Sequence, residues 1–282
     1  MVYNPHSTGG AEDAARELAD GLASRAPHLA VHLVPTEYAG HATEIARGAA
    51  GRRALVVSAS GDGGYNEVVT GAMSVEPALR PVVAVLPAGN ANDHRRAVAR
   101  RPLVDAVADA EVDHLDLLRV DIEGRSRRWA HSYLGLGITP VVALELEKGR
   151  KGSLREILTT IREFAKFRPF EVVLASGERQ RFDSLVLANI GGMAKYAKLS
   201  QAGDPTDGVF EVAVIPHSGR LRLLARAIRA ATRGLGPQPT ATRYEFAPAS
   251  PMPVQLDGEV VELEAARRVV VEIAPRALAV VR

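Results

Sequence analysis

The sequence predicts an α/β fold for its first part, a parallel sheet crossed by helices, followed by a β-rich second half. Three observations carry this expectation. Short apolar runs alternate with helical stretches up to about residue 115, the order that parallel strands with crossover helices require. Turns rich in glycine, asparagine and proline, at residues 4–10, 60–64 and 87–93, close three strands of that series. Beyond residue 115 the pattern changes to alternating strands with inserted helices.

Taken in order, residues 2–3 read as a strand end, 12–26 as a helix and 29–34 as a strand. A helix over 41–50 precedes the apolar run Ala54-Leu55-Val56-Val57, a buried strand. The helix 65–73 leads to the strand 82–86, and another helix starts near Asn92. The second half opens with strands 115–121 and 128–133 around the turn Glu123-Gly124-Arg125. A helical section over 140–167 ends at Pro169, and strands resume at 170–175, 184–189 and 209–215. After a basic helix, strands at 242–247, 254–256, 260–263, 269–273 and 278–281 complete the chain. The expected division is 1–115, 116–263 and 264–282, the last segment returning its strands to the first domain.

Composition narrows the class. With 46% hydrophobic and 24% charged residues among 282, the chain has the make-up of an ordinary globular protein. Zero cysteines exclude disulfides and thiolate metal sites, which suits a cytoplasmic protein. No apolar run approaches the ~20 residues that span a bilayer, and Asn4-Pro5 interrupts any signal-peptide core. Lys+Arg 35 against Asp+Glu 33 is too even to argue for nucleic acid. The arginines cluster, however: Arg220, Arg222, Arg226, Arg229 and Arg233 fall within 219–234, among Leu221, Leu224 and Ile228. Two readings stand: a core-packed helix with a solvated basic face, or peripheral contact with anionic lipid headgroups at the inner membrane surface.

The chemistry concentrates in Ser60-Gly61-Asp62-Gly63-Gly64-Tyr65-Asn66-Glu67, a glycine turn between a strand and a helix. Glycine amides and the free N–H groups of a helix start suit a phosphate. Asp62, wrongly signed for an anion, fits if a divalent cation bridges it to the phosphate. Asn4-Pro5-His6-Ser7-Thr8-Gly9-Gly10 and Pro87-Ala88-Gly89-Asn90-Ala91-Asn92-Asp93 are turns of similar composition, which equally suit plain helix caps. Asp257-Gly258-Glu259 places two carboxylates two residues apart; they point the same way if the segment is extended, but not in a tight Asp-Gly hairpin. Asp204 and Asp207 read either as hard oxygen ligands or as an Asp-rich loop turning into a strand.

Together these segments resemble the diacylglycerol kinase catalytic-domain family of bacterial lipid kinases, related to sphingosine kinases and NAD kinases. The family's Asn-Pro-x-Ser-Gly start, Gly-Gly-Asp-Gly-Thr-x-Asn-Glu turn and Pro-x-Gly-Thr-x-Asn-Asp turn match residues 4–9, 60–67 and 87–93. Its Asp-Asp-Gly-x-x-x-Val and Asp-Gly-Glu segments match residues 204–212 and 257–259. The resemblance implies a nucleotide-binding α/β domain, a β-sandwich-like second domain and ATP in a cleft between them. It implies ATP contacts from Asn4, Pro5, His6, Ser7, Thr8, Thr36, Gly61, Asp62, Gly63, Gly64, Tyr65, Asn66, Glu67 and Asn90. It implies Glu259 as acceptor of the substrate hydroxyl's proton with Asp257 beside it. It further implies a structural Mg²⁺ on Asp204, Asp207 and the backbone at Val209, and a catalytic Mg²⁺ positioned with help from Asp62.

The expected activity is therefore transfer of the ATP γ-phosphate to a hydroxyl of diacylglycerol or a similar lipid. A kinase of a soluble alcohol, or a module that binds nucleotide or lipid without catalysis, are the alternatives. A homodimer stays open as the assembly. The chain also departs from the family pattern: Ser60 replaces the first glycine of the pair, while Gly64 and Asn90 replace threonines. Each lost hydroxyl is worth on the order of 1 kcal/mol of nucleotide contact. His94-Arg95-Arg96 adds charge where the family often has an aromatic, a small residue and an arginine.

Overall fold

The computed structural model describes residues 1–7, 9–90, 92–137, 169–193, 197–198, 203–217 and 236–282. The expected helices over 140–167 and 219–234 lie outside the described residues. The chain divides into two compact units, one of residues 1–117 with 274–282, the other of residues 118–273.

In chain order the first unit holds β1 (Val2–Tyr3), α1 (Ala11–Arg25), β2 (Val34–Pro35), α2 (His41–Gly48), β3 (Leu55–Ser60) and α3 (Asp62–Met73). It continues with β4 (Val82–Pro87), α4 (Asp93–Val98), α5 (Leu103–Ala108) and the start of β5 (Asp113–Ile122). The second unit takes in the rest of β5, then β6 (Arg128–Ala130), β7 (Tyr133–Gly137), β8 (Phe170–Leu174), β9 (Arg179–Ala188), β10 (Gly192–Met193) and β11 (Ala197–Lys198). Next come β12 (Phe210–Pro216), β13 (Thr240–Ala241), β14 (Arg243–Pro248), β15 (Met252–Leu256) and β16 (Glu259–Leu263). β17 (Val269–Val280) runs from the second unit back into the first.

The first unit is built on parallel pairing. β4 pairs with β3, β3 with β1 and β1 with β2, all parallel, and Val280 of β17 joins β4 in the same sense. β3 is buried from Val56 to Ser60 and β4 through its centre from Val83 to Val85, as strands covered on both faces must be. Leu18 and Leu22 of α1, one turn apart, pack with Leu103, Ala106 and Val107 of α5 and with Val57, Ala84 and Val281. The second unit is antiparallel, in the order β16-β15-β7-β9-β8-β14-β17, with β12 also on β9. Its core interleaves Leu118, Leu134, Leu136, Phe170, Phe182, Leu185, Phe246 and Val271.

Several elements differ from the sequence expectation, each for a local reason. The strand expected over 29–34 shrinks to Val34–Pro35, because the register sets Val34 and Pro35 opposite Val2 and Tyr3, and 29–33 have no strand residue of β1 opposite them. The strand expected over 128–133 is split at His131 and Ser132, whose amides turn to the Asp257 carboxylate. Conversely, the two strands expected at 269–273 and 278–281 are one, β17, carried past Pro275 by a positive φ at Arg276 whose N–H donates to Asp116 at 2.7 Å. The six-residue α5 was not expected; its buried Leu103, Ala106 and Val107 have helical spacing but follow Pro102 too briefly to stand out.

Two predictions follow from packing and charge. A Cβ on Gly71 of α3 would lie 2.3 Å from the Thr43 carbonyl oxygen and 2.8 Å from Ala46 Cβ of α2. Gly71→Ala therefore forces the two helices apart, and urea unfolding should report a loss of about 1–3 kcal/mol; unchanged stability would refute this contact. Second, Arg268 and Arg243 hydrogen-bond the Glu245 carboxylate and pull its pKa from the ordinary 4.5 to about 2. A carboxylate depressed on folding stabilises the protein above about pH 4.5 and loses that contribution as pH falls towards 2. The stability difference between wild type and Glu245→Gln should thus be present at neutral pH and close between pH 4.5 and about 2. A difference constant across that range would contradict it.

Candidate functional site

The three turns singled out in the sequence all follow the carboxyl ends of parallel strands in the first unit: β1, β3 and β4. That is where open α/β sheets bind ligands. They approach so closely that backbone lies against backbone. A Cβ on Gly9 would fall 2.4 Å from the Ala88 carbonyl oxygen, and one on Gly89 would fall 2.4 Å from Gly61 Cα. Only glycine permits this at either place. Ser7 Oγ donates to the Ala88 carbonyl, and the Ala88 amide donates to Ser60 O at 3.0 Å, so the turns are also stitched together by hydrogen bonds.

Asp62, in the first turn of α3, accepts the amides of Asp93 and His94, one on each carboxylate oxygen and both at 3.0 Å. Those are two of the otherwise unsatisfied N–H groups that open α4, so Asp62 caps a helix from outside it. Asn92, with φ 51°, closes its own turn: its side-chain oxygen accepts from Gly89 N at 3.0 Å and its amide donates to Gly89 O at 2.6 Å. Tyr65 is buried, with its ring centroid 5.0 Å from that of His94, and Asn66 is buried beside it in α3. Gly61 is half-buried, Gly63 is exposed at the turn, and Asn90 is exposed on the third one.

Beside these turns lies a cleft of about 320 Å³, wholly within the first unit. Of the residues expected at a nucleotide, Asn4, His6, Thr36, Gly64 and Glu67 line it. Asn4 shapes its own turn by accepting the His6 amide at 2.9 Å, and the Thr36 amide donates to Tyr3 O at 2.8 Å. Pro5 is exposed in the same turn, Ser7 faces Ala88, and Thr8 lies outside the described residues. Sequence reading missed Glu37, Tyr38 and Ser58, which also line the cleft. Tyr38 stacks on His41 at 4.7 Å and donates its hydroxyl to Glu44 at 2.8 Å, which raises the phenol's pKa. Ser58 carried a usable signal: with Ser60 it is two residues along β3, hence on the same face of an otherwise apolar strand.

In the second unit the acidic pair divides. Asp257 and Gly258 sit at φ 46° and 95°, a tight hairpin between β15 and β16. Asp257 is fully buried and accepts the amides of His131 at 2.6 Å, Ser132 at 3.0 Å and Tyr133 at 3.0 Å. Glu259 is exposed, its carboxylate 3.0 Å from the guanidinium of Arg128. The loop before β12 is built on Asx turns. Asp204 accepts from the Thr206 amide at 3.0 Å and hydroxyl at 2.7 Å, and Asp207 accepts from the Val209 amide at 3.0 Å. Two exposed carboxylates and a backbone carbonyl are an all-oxygen set of the kind Mg²⁺ takes while keeping several waters. Among the described residues no three acidic or imidazole side chains gather as a metal cluster.

No helix among the described residues is long and apolar enough to cross a membrane. Residues 1–120 match the family model described as the diacylglycerol kinase catalytic domain. A diacylglycerol kinase of Bacillus subtilis (strain 168) is 28% identical, the match covering 92% of this chain and 88% of that protein. A diacylglycerol kinase of Mycobacterium tuberculosis (strain CDC 1551 / Oshkosh) is 27% identical, over 79% of this chain and 74% of its own length. Among solved structures, a diacylglycerol kinase of Bacillus anthracis str. Sterne superposes with a TM-score of 0.74 at 18% identity, over 99% of this chain and 94% of its own; at that identity the likeness is one of fold.

The geometry separates the two members of the acidic pair experimentally. Asp257→Ala leaves three main-chain N–H groups without their acceptor, and loss of about 3 kcal/mol or more is expected in denaturant unfolding. Near-wild-type stability of Asp257→Ala would contradict the buried clamp.

Proposed function

We propose that the chain is a member of the diacylglycerol kinase catalytic-domain family, which its first 120 residues match, and that it transfers the γ-phosphate of ATP to a hydroxyl of diacylglycerol or a similar lipid. The single observation that carries the nucleotide half is the convergence of three glycine-bearing turns at the carboxyl ends of β1, β3 and β4, beside one cleft. Turns packed that closely leave room for a phosphate against main-chain amides, and the start of α3 adds its dipole. Phosphoryl transfer asks chiefly for positioning and charge stabilisation, which such amides supply without moving.

In this reading the nucleotide is held by Asn4, Pro5, His6, Ser7, Thr8, Thr36, residues 61–64, Glu67 and Asn90, with the cleft taking part of it, while the buried Tyr65 and Asn66 support the start of α3 from the core. Glu259 accepts the proton of the substrate hydroxyl as that oxygen bonds to phosphorus and ADP leaves. Its exposure and its place on the hairpin that Asp257 anchors favour it over Asp257 for that part. Asp257 acts as a positioning residue, and Asp62 holds the second and third turns in register. Asp204, Asp207 and the backbone at Val209 are the groups that would hold Mg²⁺ in the second unit, and Asp62 would help to position an ion on the nucleotide phosphates. The ion's contribution when bound is to neutralise phosphate charge or to brace the loop. The lipid acceptor and peripheral contact with a membrane surface belong to the same reading, supported by the relatives' names and by the arginines of 219–234. Whether a homodimer forms is part of the same question and is answered by sizing the purified protein.

The test combines purified protein, ATP, Mg²⁺ and a panel of dispersed lipids with soluble alcohols as controls. ADP release with label in a lipid is the expected result; label in a soluble alcohol alone would favour the alternative acceptor. Glu259→Gln should lower turnover at least about a hundredfold while nucleotide affinity stays within about twofold. Turnover near wild type in that variant would remove the proposed base.

A further inference from the structure

Ser60, the last residue of β3, and Gly64, in the first turns of α3, are more closely tied than their positions suggest. A Cβ built on Gly64 would lie 2.7 Å from both Cβ and Oγ of Ser60. The Oγ can rotate away from such a contact, but the Cβ cannot. It is fixed by a backbone that pairs with Pro87 of β4 and accepts the Ala88 amide at 3.0 Å. A side chain at either position therefore excludes one at the other unless the strand end moves, and interiors of this density resist that.

We propose, resting on the nucleotide reading above and extending it, that residues 60 and 64 share one side-chain volume, and that the Ser60 hydroxyl placed there is a ligand-binding group of the cleft. Ser60 Oγ lies 2.7 Å from Ser58 Oγ and 3.0 Å from the Gly61 carbonyl, and both serines line the cleft. With Ser60 donating to Gly61 O and Ser58 donating to Ser60, the Ser60 oxygen keeps one lone pair that can accept. The atom it suits is a ligand O–H rather than a phosphate oxygen. The lining agrees: it carries Glu37 and Glu67 and, among the described residues, no lysine or arginine. Hydrogen-bond acceptors without a cation select hydroxyl and amino groups, those of a nucleoside, and leave the phosphates to the glycine turns.

The experiment is a double-mutant cycle with two readouts, melting temperature and calorimetric Kd for ATP and its 2′-deoxy and 3′-deoxy analogues. Gly64→Thr should lower the melting temperature and weaken ATP binding. Ser60→Gly combined with Gly64→Thr should recover the melting temperature lost by Gly64→Thr alone. Ser60→Ala, which keeps the Cβ but gives up the hydrogen bonds to Ser58 and Gly61, should melt somewhat below wild type yet bind ATP about fivefold or more weakly at temperatures where it is folded, and should no longer distinguish ATP from the deoxy analogue that wild type disfavours. Additive melting effects at 60 and 64 would overturn the shared volume. Wild-type ATP affinity in Ser60→Ala would overturn the hydroxyl's role while leaving the kinase reading intact. Failure of the wild type to bind ATP would overturn the kinase reading and the hydroxyl's role together, with the melting cycle still deciding the shared volume.

Discussion

The first unit depends on one carboxylate meeting two main-chain amides. Asp62 projects from the start of α3 and takes the N–H groups of Asp93 and His94 that open α4. A helix of six residues cannot satisfy its own first turn, and the side chain of Asn92, at the N-cap position, is occupied with Gly89. Without Asp62 those donors would need water or a ligand. With it, the turn after β3 and the turn after β4 are held together, and the close approach of Gly61 and Gly89 becomes possible. Once these two turns are locked, Ser7 and Gly9 of the first turn can lie on Ala88.

The second unit repeats the device. Asp257 takes three consecutive amides, from His131 to Tyr133, and in doing so breaks what would be one strand into β6 and β7. The same hairpin turns Glu259 outward beside Arg128. In both units an aspartate within a glycine-containing motif spends its charge on main-chain donors.

Parts of this arrangement were legible in the sequence. Alternating apolar runs marked β3, β4 and the helices between them because buried parallel strands must be apolar throughout. The three turns stood out because close backbone approach leaves glycine as the only choice, and glycine is visible in a sequence. The residues facing the cleft were legible only in part. Asn4, Gly64 and Glu67 lay in conspicuous motifs and Thr36 was named only through the family resemblance, whereas Tyr38 sits in an ordinary surface stretch after β2 and carries no pattern. Tyr65 and Asn66 show the converse. They share a motif with cleft residues, yet helical periodicity turns them into the core, where Tyr65 meets His94. The fate of the Asp257–Glu259 pair was likewise undecidable before the turn was known, since an extended segment and a hairpin send the two carboxylates to different places.

The chain's departures from the family pattern acquire a physical meaning from the same packing. Read singly, Ser60 and Gly64 look like a gained and a lost hydroxyl at unrelated positions. In space they compete for one volume, because the strand end that carries Ser60 Cβ is pinned by the β4 ladder. A substitution at one position thus sets what the other can hold. The Ser60 hydroxyl sits at the junction of β3, α3 and the cleft. Sites built from backbone amides tolerate exchanges of this sort, since the amides that meet a phosphate do not depend on which side chain fills the space beneath them. A site whose anion-binding groups were side chains would not have that freedom.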